Sequence, residues 1–155
     1  MSHHDDPIAP AVETAHAWLR AVADQLGTDD RTFTHRVLRA WLHTVRDRLD
    51  VEVAAHFGAQ LPELLRGVYY GGWIPAHVPV RHDTGTFIEQ FAAESGVSSD
   101  EAVALIGAVT TALAAMFSPG HLDHVLAVVP GPLRAILLGS RLGSTASHAG
   151  TLGIR

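Results

Sequence analysis

The 155-residue sequence has no cysteine and no lysine, and only 17% of its residues are charged. The absence of cysteine excludes disulfides, thiolate catalysis, zinc fingers and iron–sulfur clusters in this chain. All 11 basic residues are arginines, whose planar group keeps its charge and binds carboxylates or phosphates through two N–H groups at once. A GC-rich coding sequence gives the same bias, so the arginines alone do not indicate a function.

The net charge and the first seven residues give expectations about binding partners and location. Sixteen acidic residues against 11 basic ones give a net charge of −5 at pH 7, which argues against general affinity for nucleic acid or anionic membranes. Residues 1–7 show neither the basic nor the apolar region of a signal peptide, so we expect a cytoplasmic protein. The most apolar run, residues 102–117, is short for a membrane span, and we interpret it as a buried core helix.

Apolar residues, 47% of the chain, recur with the helical period, and no stretch alternates as a strand would. We therefore predict an all-α fold: a single compact helical domain made of two pseudo-symmetric four-helix repeats. The predicted repeats cover residues 11–67 and 85–138, joined by a connector over 68–84 that is rich in aromatic residues, proline and glycine. Residues 1–10 and 139–155 are predicted to form a flexible arm and a flexible tail.

The two halves of the chain match each other. A shift of 68 positions aligns residues 45–66 with the second half without a gap, placing Pro62 on Pro130 and His56 on His124. A shift of 69 aligns the first helices, including Gly27 with Gly96. Self-similarity that preserves proline, glycine and apolar period together predicts two copies of one supersecondary unit, packed about an approximate two-fold axis.

Four segments of the first half resemble a known family: residues 17–19 (AWL), 37–49 (VLRAWLHTVRDRL), 59–70 (AQLPELLRGVYY) and 72–75 (GWIP). They are similar to the bacterial domain-of-unknown-function 2267 family, and the resemblance extends over about residues 16–138. It implies an all-helical bacterial protein. It brings no established activity and no catalytic residues.

The second predicted helix carries four basic side chains on one face, here called the basic stripe: Arg36, Arg39, His43 and Arg46. Either the stripe binds phosphate or an acidic partner, or it is an ordinary solvated face with aspartates nearby. The aligned positions of the second half hold uncharged residues: Ala104, Gly107, Thr111 and Ala114. Any function of the stripe therefore belongs to the first half alone.

Three aromatic residues, Tyr69, Tyr70 and Trp73, surround the pair Gly71-Gly72. This cluster is interpreted either as an exposed stacking platform that anchors a partner, or as a hydrophobic plug under the connector. The sequence leaves both interpretations open.

The 11 histidines are many for this length. His121 and His124 share one helical face, and His77 and His82 flank the connector. A metal site needs three or four converging ligands, and no motif with ligand spacing is present. We therefore predict no metal and no cofactor, with His121 and His124 as the candidates if a metal site existed. His56 and His124 could bond backbone groups in equivalent positions.

Arg66 and Arg134 follow Pro62 and Pro130 at the same distance, near the start of two short helices. A role in binding a ligand carboxylate is one interpretation. We favour a structural role, in a salt bridge or in hydrogen bonds to carbonyls at the seam between the repeats.

No nucleophile elbow, phosphate loop or dinucleotide fingerprint occurs in the sequence. We therefore expect a non-catalytic helical module that acts through a protein partner or as a homo-oligomer, with no membrane contact. One alternative is a small-ligand or metal-binding protein that uses the crevice between the repeats. A second, weaker alternative is phosphate or nucleic-acid contact through the basic stripe.

Overall fold

A computed structural model of the chain describes residues 6–139; residues 1–5 of the predicted arm and 140–155 of the predicted tail lie outside this range. Within it, all regular structure is helical, so the all-α prediction is confirmed. The helices are α1 (Ala9–Leu26), α2 (Arg31–Arg46), α3 (Val51–Ala59), α4 (Glu63–Tyr70), α5 (Thr84–Ser95), α6 (Ser99–Met116), α7 (His121–Leu126) and α8 (Gly131–Leu137), with a 3₁₀ turn at Pro75–His77.

Side-chain oxygens cap the N-termini of several of these helices. Asp30 and Asp50 accept hydrogen bonds from the backbone N–H groups of Phe33 and Val53 at 3.1 and 3.0 Å. The cap of helix α5 is Asp83. The hydroxyl and the amide of Thr86 both donate to this carboxylate, which lowers the pKa of Asp83.

Some predicted boundaries were wrong. Helix α4 continues to Tyr70, so the first residues of the predicted connector are helical. Helix α2 ends at Arg46, and Asp50 then caps α3. Helix α7 begins at His121 after Gly120, which has a left-handed backbone conformation.

The two halves interleave. Helix α1 packs mainly on α6, and α2 packs mainly on α5, so the first helix of each half lies on the second helix of the other. Trp41 of α2 is fully buried, and its indole N–H donates to the Thr110 hydroxyl of α6 at 3.0 Å. Burying one side chain of this size contributes roughly 1.5–3 kcal/mol. The core is therefore shared by both halves.

This pairing is consistent with the predicted repeat. Pro62 and Pro130 cap α4 and α8 with nearly identical backbone angles, φ −57° and ψ 150° against φ −56° and ψ 149°. Gly27 and Gly96 end α1 and α5 in the same left-handed conformation, with φ 70° and 74°. Only glycine adopts that conformation without steric cost.

Helix α6 has a mean hydropathy of 1.3 over 18 residues and by length and composition alone could cross a membrane. In the structure it packs against α1, α2, α5, α7 and α8. Its large side chains Ile106, Val109 and Leu113 are fully buried. This is the position of a core helix.

Candidate functional site

Arg46 lies inside the protein at the end of α2, with 3% of its surface exposed. Its Nη1 donates to the backbone carbonyls of Tyr69 and Gly71 at 2.7 and 2.8 Å, and its Nε and Nη2 donate to Asp47 Oδ1 at 2.9 and 2.8 Å. These carbonyls belong to the C-terminal end of α4, where a cation is favourable. Arg46 therefore fixes the end of α4 and the turn that follows it.

His43 connects three helices from one turn earlier in α2. It is 3% exposed; its Nε2 lies 2.7 Å from the Val68 carbonyl of α4, and its Nδ1 lies 3.5 Å from Glu94 Oε1 of α5. A carbonyl only accepts, so Nε2 carries the proton and donates it. The side chain thus links α2 with both neighbours.

Arg48, two residues beyond α2, is 2% exposed. Its Nη1 donates to the Thr44 carbonyl and to Gln90 Oε1, while Gln90 Nε2 donates to Asp47 Oδ2 at 2.9 Å. Its guanidinium carbon lies 5.1 Å from the Phe87 ring centroid. Burial lowers the pKa of Arg48, although nearby carboxylates act in the opposite direction. The seam between α2 and α5 is therefore a polar network within an apolar core.

The connector crosses this seam. The Val80 N–H donates to the Asp47 carbonyl at 2.8 Å, and His82 Nε2 lies 2.7 Å from the Arg48 carbonyl. These contacts hold the chain over the end of α2 and lead it into α5. His77, the other predicted flanking histidine, is exposed.

The structure divides the basic stripe. Arg36 and Arg39 are exposed, whereas His43 and Arg46 are buried. Arg36 also donates through Nε to the Ser95 carbonyl at 2.7 Å. The interpretation of the stripe as one solvated face was wrong, because α4 and α5 cover its C-terminal half.

The three aromatic residues occupy different environments. Tyr69 is fully buried, and its hydroxyl donates to the Ala54 carbonyl at 2.8 Å; burial raises the pKa of Tyr69 well above its usual value. Tyr70 and Trp73 are half-buried with ring centroids 5.3 Å apart, and the neighbouring Ile74 is 51% exposed. We call Tyr70, Trp73 and Ile74 the aromatic patch. Tyr69 is thus the plug, and the other two rings reach the surface.

Gly58 of α3 makes this arrangement possible. A Cβ atom at this position would lie 2.8 Å from Tyr70 Cζ and 2.9 Å from Tyr69 Cε2. Both rings therefore pack directly against the α3 backbone. Sequence reasoning missed this glycine, although a glycine within a helix that faces an aromatic pair was a signal that could have identified it.

A groove of about 310 Å³ lies between α3 and α7, one helix from each half. We call it the histidine groove; it is lined by Glu52, Val53, His56, His124, Val125 and Val128. His56 and His124, which the repeat alignment superimposes, thus line the same groove. Contrary to one expectation, neither has a hydrogen bond to a backbone group within residues 6–139.

A second cavity, of about 450 Å³, lies between α1 and α2 and is therefore within the first half. Its lining includes apolar Leu19 and Ala23 and the charged side chains of Arg20, Asp24 and Arg31. Across the part of the chain that the structure covers, no three His, Asp or Glu side chains converge as metal ligands.

The two aligned arginines differ. Arg66 donates through Nε to the Gly58 carbonyl at 3.2 Å and through Nη2 to the Leu61 carbonyl at 3.0 Å. These carbonyls lie in the α3–α4 turn, so they are within the first half and not at the seam. Arg134 has no side-chain hydrogen bond or ion pair with any residue from 6 to 139.

Sequence reasoning missed most of the polar seam: Asp47, Arg48, Gln90 and Glu94. One signal was available, because the stripe has no charged counterpart in the second half. Basic residues that are absent from one copy of a repeat indicate a contact made by only one copy. Their carbonyl partners could not be identified, since every residue has a carbonyl.

Residues 15–136 match the model of the family described as "Uncharacterized conserved protein (DUF2267)". No curated protein matches the chain.

Proposed function

The chain belongs to the DUF2267 family, and we propose that it is a non-catalytic helical module that acts by binding protein surfaces, including a second copy of itself. The observation that carries this proposal is the aromatic patch. The rings of Tyr70 and Trp73 are in tilted contact at the surface beside Ile74, which is 51% exposed. Large aromatic side chains in such positions supply most of the binding energy of protein interfaces.

The rigidity of the patch supports the proposal. Arg46 donates to the carbonyls of Tyr69 and Gly71, on either side of Tyr70, and the ring of Tyr69 is fixed in the core. The backbone N–H of Trp73 donates to the Tyr70 carbonyl at 3.1 Å. A surface that is ordered before binding loses little conformational entropy when a partner docks.

The hydrogen bonds made by the buried charged side chains support the proposal that the module is non-catalytic. His43 and Arg46 bond backbone carbonyls of α4 and its following turn, and Arg48 bonds a carbonyl of α2 and the Gln90 amide. The contacts of His43 and Arg46 occupy two side chains that would otherwise be candidates for acid–base or anion-binding chemistry. Burial of His43 and Arg46 also removes half of the surface that the phosphate-binding alternative required.

Sedimentation velocity over a range of concentrations tests the proposal. We expect the wild-type chain to self-associate and Trp73→Ala and Ile74→Ser to shift the equilibrium to the monomer. Ile8→Ser is the matched control, since Ile8, just before α1, is 61% exposed and lies outside the patch. A wild-type monomer at all concentrations, with no partner whose binding depends on Trp73, would contradict the proposal. Equal effects of Ile8→Ser and Ile74→Ser on self-association would also contradict it.

A further inference from the structure

The cavity of about 450 Å³ between α1 and α2 has charged side chains of both signs beside an apolar wall. Leu19 and Ala23 form part of that wall, and the charged lining residues include Arg20, Asp24, Asp29 and Arg31. These four side chains are exposed, and among residues 6–139 none of them makes an ion pair or a side-chain hydrogen bond. A concave site of this size with apolar walls and a few polar groups is typical of small-molecule binding.

One end of the cavity is acidic. A shallower hollow extends from it to Gly27, the residue that ends α1, and the lining residues that the two share are Ala23, Asp24, Thr28 and Asp29. The backbone carbonyls at the C-terminal end of a long helix favour a cation, and α1 has 18 residues with no basic residue in its last turn. This end of the cavity therefore carries the charge that attracts a cationic group.

The second half of the chain shows which group fits at such a position. Helix α5 also has no basic residue in its last turn, and it ends at Gly96 in the same left-handed conformation as Gly27. Arg36 of α2 donates there through Nε to the Ser95 carbonyl at 2.7 Å, and this Nε lies 3.5 Å from where a Cβ of Gly96 would be. A guanidinium from α2 thus covers the C-terminal end of α5.

The C-terminal end of α1 has no such cover within the described chain. The repeat alignment pairs Arg36 with Ala104 of α6, which has no cation to offer. Beyond its two chain neighbours, no atom of the described residues lies within 4 Å of where a Cβ of Gly27 would be. The alignment also pairs Asp24 with Ala93, so this carboxylate occurs only at the open end. The end of α1 is therefore prepared for a cation that the fold does not itself provide.

We propose that this cavity binds a cationic amino acid. The guanidinium or ammonium group of the ligand binds Asp24, Asp29 and the end of α1, in the position that Arg36 occupies in the second half. The carboxylate of the ligand binds Arg20 and Arg31, and its aliphatic part lies on the apolar wall. Guanidinium–carboxylate pairs form two parallel hydrogen bonds, which orient a ligand as well as hold it.

Titration of the isotope-labelled full chain with L-arginine, followed by amide chemical shifts in NMR spectra, tests the site. We expect saturable shifts at the amides around Gly27 and none around Gly96, where Arg36 already lies. Agmatine, which has the guanidinium without the carboxylate, should bind more weakly than arginine. Pentanoate, which has a carboxylate without the cation, should not bind.

Substitutions distinguish the two ends of the ligand. Asp24→Asn should weaken the binding of arginine and agmatine alike, by roughly threefold to fivefold, because it removes an acceptor of the guanidinium. Arg20→Gln should weaken the binding of arginine only. Glu13→Gln is the matched control for the lost carboxylate, since Glu13 is exposed on α1 outside the cavity, and it should bind as the wild type does. All three positions are exposed, so the variants should fold.

Absence of saturable shifts at millimolar arginine would overturn the proposal. Shifts that persist unchanged in Asp24→Asn would place the ligand elsewhere and would overturn it too. Equal weakening of arginine and agmatine by Arg20→Gln, or binding of pentanoate as tight as that of arginine, would show that the assignment of the two ends is wrong. None of these results depends on self-association, because the cavity and the aromatic patch share no residue.

Discussion

The side chain of Arg46 binds the backbone of Tyr69: Nη1 of the arginine donates to the tyrosine carbonyl at 2.7 Å, and both residues are buried. The same Nη1 reaches the Gly71 carbonyl, so one side chain of α2 determines where α4 ends. The aromatic patch is built on this contact. Its loss would therefore affect both stability and the proposed binding surface.

We predict that Arg46→Ala lowers the free energy of unfolding by about 3 kcal/mol, because it leaves buried carbonyls and Asp47 without their partner. Urea denaturation followed by circular dichroism measures the change. Arg39→Ala, on the exposed part of the basic stripe, is the control and should stay within about 0.5 kcal/mol of the wild type. Equal effects of the two substitutions would show that the hydrogen bonds of Arg46 to the end of α4 do not stabilise the fold.

Gly58→Ala should destabilise the fold by about 1–3 kcal/mol, since the added methyl group would overlap the rings of Tyr69 and Tyr70. Gly67→Ala is the opposite case. A Cβ at Gly67 meets nothing within 4 Å, and alanine in a helix is favoured over glycine by roughly 0.8–1 kcal/mol. Chemical denaturation should thus give opposite signs for the two substitutions, and a stabilising Gly58→Ala would refute the close packing of α3 on the tyrosines.

Arg66→Ala should lower thermal stability, by about 1 kcal/mol, because Arg66 satisfies two carbonyls of the α3–α4 turn. Arg134→Ala should have almost no effect, since its side chain has no bonded partner between residues 6 and 139. Calorimetric melting of both variants checks this difference. An unchanged melting temperature for Arg66→Ala, accompanied by loss of partner binding, would assign Arg66 to a binding role instead.

The buried phenol of Tyr69 predicts a loss of stability at alkaline pH. Burial raises the pKa of Tyr69 in the folded protein, whereas a tyrosine in the unfolded chain ionises near pH 10. Above about pH 10 the unfolded state alone releases this proton, so the stability that the neutral phenol contributes is present below that pH and falls as pH rises. Urea midpoints measured from pH 8 to 11 should show a steeper decline for the wild type than for Tyr69→Phe. Tyr70→Phe retains Tyr69 and should decline as the wild type does; identical slopes for all three proteins would contradict the assignment.

The positions of the helices followed from local information. Asp30, Asp50 and Ser98 cap α2, α3 and α6, and glycines end α1 and α5. These signals act within a few residues, so the sequence carries them without any knowledge of the fold. Helix α4 continues past its predicted end to Tyr70, where Arg46 of α2 donates to the Tyr69 carbonyl.

The candidate sites depended more on the fold. The sequence identified the aromatic residues and the aligned pair His56 and His124, but it could not separate the buried Tyr69 from Tyr70, which is half-buried. Helical periodicity also placed His43 and Arg46 on one face with Arg36. Periodicity assigns residues to a face but does not show what covers that face.

The sequence by itself determined that this protein is helical and where most of its helices begin and end, because caps, prolines, glycines and apolar period act over short distances. Only the tertiary structure decided which charged residues lie inside and which histidines meet. Those outcomes depend on contacts between α2 and α5 and between α3 and α7, which form when distant segments pack and which no local pattern specifies.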